Sequence, residues 1–232
     1  MQISPKYIEN EKAWYWKYLS EFRSSEGRSL EEIELERANK LIQELGPENW
    51  WLDRWKLSPK PFSDVLEMIK VVERFFPQDA PLRYLEFGCC FGTTFTWFLK
   101  HFHNAMGVGL EVMDFRYEVS RWLLQRMEDE WNLKGRWEVH HKSVMEMPFS
   151  RHSFDIVFMD TNHMETDYEY IIHLIKNEYV KPNFLFLGDD PFHTGTKISR
   201  EKFIEKYGDQ YPVITDSQYN LWYFQKGLEP KL

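Results

Sequence analysis

The chain has 232 residues, 43% of them hydrophobic and 28% charged, which suits one α/β domain with its own core and a helical extension. Its net charge of −8, with no dense cluster of Lys and Arg, argues against a nucleic-acid partner. The sequence starts without a signal-peptide pattern and has no apolar run of membrane-spanning length. We therefore expect a soluble cytoplasmic protein with no membrane partner.

Residues 1–80 are predicted to form a helical extension or cap. A capping box of Ser29 and Glu32 opens a segment, residues 29–45, whose apolar residues recur at helical spacing. A second helix is predicted from Ser63 to Phe76. Five of the ten Trp residues lie in the first 55 residues, and two explanations stay open: a cap over a substrate, or aromatic filler of a helical core.

From Leu82 onward, short apolar segments alternate with amphipathic ones. The predicted strands are residues 83–87, 105–111, 137–141, 154–160 and 183–190. The predicted helices between them are residues 93–102, 115–131 and 168–179. This alternation predicts a parallel sheet with right-handed crossovers.

The end of the chain departs from that alternation. Residues 211–216 and 221–226 both read as strands, and the four residues between them are too few for a crossover helix. They are predicted to pair as an antiparallel hairpin at a sheet edge. The fold class is therefore α/β, with residues 81–232 forming a doubly wound, mostly parallel, seven-stranded sheet that ends in an antiparallel hairpin.

The turn after the first predicted strand, "EFGCCFGTT" at residues 86–94, lies where such sheets bind ligands. Gly88 and Gly92 allow a close approach of the backbone, and the following helix offers its N-terminus. We expect Gly88 to lie so near the ligand that a larger residue there blocks binding while the protein stays folded. The spacing differs from the dinucleotide pattern Gly-x-Gly-x-x-Gly. Glu86 would repel a pyrophosphate and attract an amino group, which indicates a ligand with an amino-acid end.

Cys89 and Cys90 lie inside this turn and are the two cysteines of the chain. Their Cα atoms are about 3.8 Å apart across a trans peptide, below the usual disulfide range. Two cysteines are also too few for a thiolate metal site. We interpret them as space-filling residues with no part in the chemistry.

The turn resembles the first motif of class I S-adenosylmethionine-dependent methyltransferases, in the small-molecule O-methyltransferase variant Glu-x-Gly-x-x-x-Gly-x-Ser/Thr. The segment "DTNHMETDYEY", residues 160–170, is similar to a pattern of the cephalosporin-hydroxylase-like subgroup. The resemblance implies a Rossmann-like domain with S-adenosylmethionine as cofactor, Glu111 at the ribose hydroxyls and Ser143 near the adenine. The implied cofactor-binding residues are Glu86, Phe87, Gly88, Gly92, Thr93, Thr94, Glu111, Ser143 and Asp160.

Two devices for removing a proton from the acceptor follow from the strand ends. Asp160 ends the fourth predicted strand and Asp189 and Asp190 end the fifth, so the three acids are predicted to converge on Mg²⁺ or another divalent cation. The alternative is a pair of acids that cap a strand end in water. The second device is His163, three residues after Asp160, as a general base; His193 is a weaker candidate.

The favoured function is methyl transfer from S-adenosylmethionine to a small molecule, at a hydroxyl oxygen and with a metal as an optional aid. Catalysis is assigned to His163 and Asp160. Two alternatives stay open: a non-catalytic protein that keeps the cofactor fold for binding, and a nicotinamide-dependent oxidoreductase. The acceptor is undetermined, and so is the oligomeric state, with a homo-oligomer among the alternatives.

Overall fold

The computed structural model describes residues 62–90, 92–129, 131–161, 163–216 and 221–230. The chain divides into two compact units, residues 1–66 and 67–232. The predicted helix at residues 29–45 and the Trp-rich segment lie outside the described residues. The N-terminal extension and its boundary at residue 80 therefore stay predictions.

Helices and strands alternate along the described residues, as the sequence predicts. In chain order they are α1 (Phe62–Glu73), β1 (Arg83–Phe87), α2 (Thr93–His101), β2 (Met106–Leu110), α3 (Asp114–Met127), β3 (Trp137–His140), β4 (Phe154–Met159), α4 (Tyr168–Lys176), β5 (Val180–Asp189), α5 (Thr194–Tyr207), β6 (Ile214–Asp216) and β7 (Leu221–Lys226). A 3₁₀ turn, Val144–Glu146, lies between β3 and β4. No helix among these is long and apolar enough to cross a membrane.

The seven strands form one sheet in the order β3-β2-β1-β4-β5-β7-β6. The first five in that order pair in parallel, β7 is antiparallel to β5, and β6 is antiparallel to β7. The predicted doubly wound sheet with its terminal hairpin is confirmed. After β3 the chain returns to the middle of the sheet and adds β4 beside β1, so the strand order reverses between these two strands. A ligand crevice is expected at their carboxyl ends.

Aromatic packing fixes α2 against the sheet. Four apolar residues at helical spacing in and directly after α2 are all 0% exposed: Phe95, Phe98, Leu99 and Phe102. The ring of Tyr84 on β1 stacks on Phe98 with ring centres 3.9 Å apart. The start of α2 is therefore held at the turn that follows β1. The predicted helix at residues 115–131 carries four apolar residues whose side chains lie outside the described ones: Phe115, Val119, Trp122 and Leu123.

Helix α5 was not predicted from the sequence. Its buried side chains are Thr196, Ser199 and Phe203, two of them small and polar, so the segment carries no apolar stripe of helical period. It lies in contact with α4 and begins five residues after β5 ends. This places its first turn at the carboxyl end of the sheet.

His173 on α4 is expected to make stability depend on pH. Its Nδ1 lies 3.2 Å from the amide nitrogen of Asn177, while its buried Nε2 has no hydrogen-bond partner among the described residues. Burial lowers the pKa of His173 below its usual value. The unfolded chain therefore takes up a proton at a higher pH than the folded one, and stability falls as pH drops below about 6.5.

Urea unfolding at pH 7.5 and 5.5 measures this effect. His173→Gln should lose less stability between the two pH values than the unmodified protein. His103 is exposed and provides the matched substitution, His103→Gln, which should lose as much as the unmodified protein. Equal losses in all three proteins would show that His173 does not contribute.

Candidate functional site

Gly88 directly follows β1 and has a left-handed backbone, with a φ of 81°. A Cβ atom built on it would lie 1.8 Å from the backbone oxygen of Asp160. The absence of a side chain thus allows the β1–α2 turn to pack against the backbone that leaves β4. A larger residue at Gly88 would therefore collide with the protein itself, so the expectation that the fold stays intact is wrong. The closeness of Gly88 to the ligand stays a prediction.

Glu86 lies at the carboxyl end of β1 and is 1% exposed. Its Oε2 accepts a hydrogen bond of 2.6 Å from the hydroxyl of Tyr84. Burial raises the pKa of Tyr84 well above its usual value, and the charge of Glu86 adds to this effect. Tyr84 therefore stays a hydrogen-bond donor and holds the Glu86 carboxylate in one orientation.

Glu111 directly follows β2 and joins two loops of the site. Its Oε2 accepts from the backbone N–H of Cys90, and its Oε1 accepts from those of Val112 and Met113, each at 2.9 Å. It is 3% exposed, so it is not a solvated loop acid. A carboxylate can accept about four hydrogen bonds. Glu111 therefore retains room for about one more donor, such as a ligand hydroxyl.

The other residues predicted to bind the cofactor are placed as follows. Phe87 and Thr94 are buried at 3% and 4% exposure, and their places at a cofactor stay predictions. Ser143 begins the 3₁₀ turn, where its Oγ accepts from the backbone N–H of Met145 at 3.3 Å. This local role explains Ser143 without a ligand, and its place at an adenine stays a prediction. Gly92 is the N-cap of α2, and the side chain of Thr93 lies outside the described residues.

The two cysteines differ in their surroundings. Cys89 is 3% exposed and Cys90 is partly exposed. Burial raises the pKa of the Cys89 thiol well above its usual value, and the charges of Glu86 and Glu111 raise it further. A thiol in such surroundings stays protonated and is a poor nucleophile. This agrees with a space-filling role for Cys89.

The structure brings His163 together with three residues that follow β5 or open α5, namely Asp190, His193 and Thr196. Its Nε2 lies 3.3 Å from Oδ2 of Asp190, and its Nδ1 lies 3.2 Å from Oγ1 of Thr196. Its ring centre is 4.8 Å from that of His193. Sequence reasoning had selected both histidines and Asp190 but missed Thr196, because α5 itself was not predicted. Asp160 directly follows β4, and its backbone N–H donates to the oxygen of Phe87 at 3.1 Å.

A buried acid, Asp167, fixes the loop that carries His163. Its carboxylate accepts hydrogen bonds from the hydroxyl of Thr161 and from the backbone N–H of Met164. It is 3% exposed, and burial raises its pKa above the usual value. The sequence pattern that selected Asp160 and His163 gave no signal for Asp167, although its position before α4 is a common one for capping acids.

The predicted convergence of Asp160, Asp189 and Asp190 is not seen. Within the described part of the chain, no group of three or more His, Cys, Asp or Glu side chains is placed to hold a metal ion. Asp189 is the last residue of β5, whereas Asp190 follows the strand with a left-handed backbone, at a φ of 46°. Asp189 is 6% exposed, and Asp190 is turned toward His163 instead. The residues therefore do not fit the predicted divalent-cation site.

Exposed apolar side chains surround the carboxyl end of the sheet. Of the eight large hydrophobic residues that are exposed among the described ones, five lie in the loops after β2, β3, β4 and β5: Val112, Met113, Met145, Met164 and Phe192. Apolar surface concentrated in one region commonly marks a ligand or partner site. The carboxyl end of the sheet thus combines buried acids with exposed apolar side chains.

Comparisons with known proteins decide the fold family. No protein-family model and no curated protein matches the sequence. Solved structures do match it. A methyltransferase from Podospora anserina with S-adenosylhomocysteine bound superposes with a TM-score of 0.56 at 14% identity, covering 83% of this chain and 86% of that one. The chain has the class I S-adenosylmethionine-dependent methyltransferase fold.

Two further solved structures share this methyltransferase fold. An O-methyltransferase from Bacillus cereus in complex with S-adenosylhomocysteine has a TM-score of 0.53 and 17% identity, with 81% of this chain and 91% of that one covered. A SAM-dependent methyltransferase from Aquifex aeolicus has a TM-score of 0.52 and 13% identity, with 82% and 97% covered. In each case the match spans most of both chains.

Proposed function

We propose that this chain transfers a methyl group from S-adenosylmethionine to a hydroxyl group of a small molecule. The observation that carries the proposal is the placement of Glu86, Glu111 and Asp160 at the ends of β1, β2 and β4, which are neighbours in the sheet. Three acids in one crevice favour a ligand with a cationic amino group and hydroxyls, and they oppose a dinucleotide pyrophosphate. When bound, the cofactor supplies a methyl group that is already activated on its sulfonium.

The residues present fit that cofactor in chemistry. Glu86, held by Tyr84, offers a carboxylate for the amino group. Glu111 has capacity for one ribose hydroxyl beside its three backbone donors. Val112 and Met113 are 57% and 39% exposed beside it, and their side chains suit one face of an adenine.

The acceptor is assigned to the other half of the crevice, beside His163. Met164 and Phe192, each next in sequence to one of the paired histidines, are 58% and 63% exposed. These side chains favour an acceptor with an apolar body, and the surrounding acids disfavour an anionic one. His163 accepts the hydroxyl proton, since a neutral imidazole is a suitable base near pH 7.

No step is assigned to a metal ion, because Asp160, Asp189 and Asp190 do not form a metal-holding group. Methyl transfer measured first with EDTA and then with added Mg²⁺ tests this assignment. Transfer is expected to persist in EDTA. A loss in EDTA that Mg²⁺ restores would return the three acids to the role predicted from the sequence.

Titration calorimetry with S-adenosylhomocysteine and with NADH tests the proposed function. S-adenosylhomocysteine is expected to bind and NADH is not. Transfer is then measured with a panel of apolar phenols and alcohols and their carboxylated analogues. Binding of NADH alone would favour the oxidoreductase, and cofactor binding without transfer to any acceptor would favour the non-catalytic alternative.

Replacing Glu111 with alanine is expected to weaken both the cofactor site and the fold. Three backbone N–H groups would lose their acceptor, and each buried unsatisfied donor costs about 1–3 kcal/mol. We expect a stability loss of at least about 2 kcal/mol in urea and at least tenfold weaker binding of S-adenosylhomocysteine. Glu118→Ala, at an exposed position on α3, is the control and should change neither. Unchanged binding in Glu111→Ala would remove Glu111 from the cofactor site.

Several further features are part of the proposal. The partner is a small molecule, with no nucleic acid and no membrane involved, and the location is the cytoplasm. The net charge of −8 and the two cysteines support these assignments. A homo-oligomer is compatible with the sequence, and sedimentation of the purified chain measures its assembly state.

A further inference from the structure

The loop between β2 and α3, residues 111–113, presents the two exposed apolar side chains assigned to an adenine, Val112 and Met113. Its backbone N–H groups are bound from one side, because Glu111 accepts those of Val112 and Met113 at 2.9 Å each. A loop lacks the regular hydrogen bonds of a strand or helix, so its course depends on the groups that bind its backbone. The carbonyl oxygens of the loop are therefore the next groups to account for.

His141, the first residue after β3, binds this loop from the other side. Its Nε2 lies 2.9 Å from the carbonyl oxygen of Val112. A carbonyl oxygen can only accept a hydrogen bond, so the hydrogen of the neutral ring lies on Nε2. Oδ1 of Asp114, 3.3 Å from the same nitrogen, is also an acceptor and agrees with this assignment. Val112 is thereby bound at both backbone polar groups, by Glu111 at its N–H and by His141 at its carbonyl.

An aromatic ring on α3 holds the imidazole of His141 in place. The ring of Tyr117 stacks on that of His141, with ring centres 5.3 Å apart and planes inclined by 23°. The hydroxyl of Tyr117 accepts from Arg121, one turn further along α3, at 3.4 Å. The backbone N–H of Tyr117 donates to the carbonyl oxygen of Met113 at 3.0 Å. The helix that follows the loop therefore supports both His141 and the end of the loop.

The loop is thus bound at its start, middle and end. The backbone N–H of Glu111 donates to the carbonyl oxygen of His140 on β3 at 3.1 Å, so the start of the loop is held by the sheet. His141 holds the middle and α3 holds the end. Loss of the His141 ring would loosen the middle of the loop between two ends that stay fixed. An ordered side chain gives up less freedom when a ligand packs on it, so such order favours binding.

We infer that His141 is a positioning residue for the purine half of the cofactor site, an inference that rests on the proposed function. It acts through the carbonyl of Val112 rather than by contact with the ligand. By this bond it fixes the apolar side chains assigned to the adenine relative to the Glu111 carboxylate assigned to the ribose. Cofactor affinity therefore depends on His141. The chemical step does not, since the methyl acceptor is assigned to the other half of the crevice.

Replacing His141 with leucine and with glutamine tests the inference by titration calorimetry. Leucine removes the donor and keeps a side chain of similar size, whereas the amide of glutamine can still donate to Val112. We expect His141→Leu to weaken binding of S-adenosylhomocysteine by about threefold to tenfold, the effect of losing one hydrogen bond. His141→Gln should stay within about twofold of the unmodified protein. In His141→Leu the KM for S-adenosylmethionine should rise by a similar factor while kcat stays unchanged.

His140→Leu is the matched control for this substitution. The side chains of His140 and His141 are 36% and 39% exposed, and Nε2 of His140 lies 3.1 Å from a carboxylate oxygen of Glu138 instead of the loop. The control should leave the affinity for S-adenosylhomocysteine unchanged. An equal loss of affinity in His140→Leu and His141→Leu, or no loss in His141→Leu, would overturn the inference.

Two fragments of the cofactor locate the effect within the site. Methylthioadenosine carries the purine and lacks the amino-acid end, whereas S-ribosylhomocysteine carries the amino-acid end and lacks the purine. His141→Leu should weaken binding of the first fragment and leave that of the second within about twofold. Equal weakening of both fragments would show a general loosening of the site and would overturn the purine assignment.

Amide hydrogen exchange without ligand separates this inference from the proposed function. The backbone N–H groups of Val112 and Met113 should exchange at least about threefold faster in His141→Leu than in the unmodified protein, and exchange in β1 should stay the same. Unchanged exchange of the loop would overturn the inference while the proposed function stands. Failure of S-adenosylhomocysteine to bind the unmodified protein would instead overturn the proposed function, together with the role of His141 in it.

Discussion

Replacing Gly88 with alanine is expected to lower the free energy of unfolding by about 3–4 kcal/mol. About 1 kcal/mol comes from placing a side chain on a left-handed backbone, and the rest from overpacking. The added Cβ would lie 1.8 Å from the backbone oxygen of Asp160, so the chain leaving β4 must move away from β1. Urea unfolding measures the loss, and binding of S-adenosylhomocysteine should weaken with it.

Gly135→Ala is the control that separates the two contributions. Gly135 also has a left-handed backbone, with a φ of 73°, but a Cβ built on it meets nothing within 4 Å. Its replacement should cost only about 1 kcal/mol. Equal losses in the two variants would show that the contact with Asp160 is unimportant. Full stability of Gly88→Ala with abolished cofactor binding would restore the idea that Gly88 makes room for the ligand.

His163→Asn is expected to lower kcat by about 10²- to 10⁴-fold while affinity for S-adenosylhomocysteine stays unchanged. Asparagine tolerates the left-handed backbone that His163 adopts, so the loop keeps its course and only the imidazole is lost. The cofactor is assigned to Glu86 and Glu111, on the other side of the crevice, and should bind as before. Single-turnover kinetics and titration calorimetry measure the two quantities.

His152→Asn is the matched control for this substitution. His152 also has a left-handed backbone, with a φ of 53°, and its Nδ1 lies 3.4 Å from the backbone oxygen of Val180. It precedes β4 and lies beside the start of β5, at the amino-terminal end of both strands. Its replacement should leave kcat unchanged. If His163→Asn kept full activity, methyl transfer would rest on alignment of the acceptor alone.

The sequence by itself determined the order and type of most elements. Apolar segments of five to eight residues separated by amphipathic helices leave little choice other than a parallel sheet. β1 was predicted at its observed bounds, residues 83–87. The hairpin followed from the short connection between residues 216 and 221. The acids at the ends of β1, β2 and β4 were also identified, because strand ends can be read from where an apolar run stops.

Helix α5 escaped prediction for a physical reason. Its buried face carries Thr196 and Ser199, so the hydrophobic period that identifies amphipathic helices is absent. Its first turn lies against the His163 loop, with Gly195 next to the backbone of that loop. Such a contact joins residues about thirty positions apart in the chain, so no local sequence pattern predicts it.

The tertiary structure also decided what each acid does. The sequence assigned Glu111 to a ligand, and folding adds three backbone N–H groups that tie it to two loops. It assigned Asp190 to a metal, and folding turns that carboxylate to His163. A charge at a strand end is visible in sequence, but its partner depends on the path of the neighbouring loops and on the direction of each side chain. Within a strand, the pleat sets the direction of each side chain. Beyond the strand end, left-handed residues such as Asp190 redirect the chain at the place where the site lies.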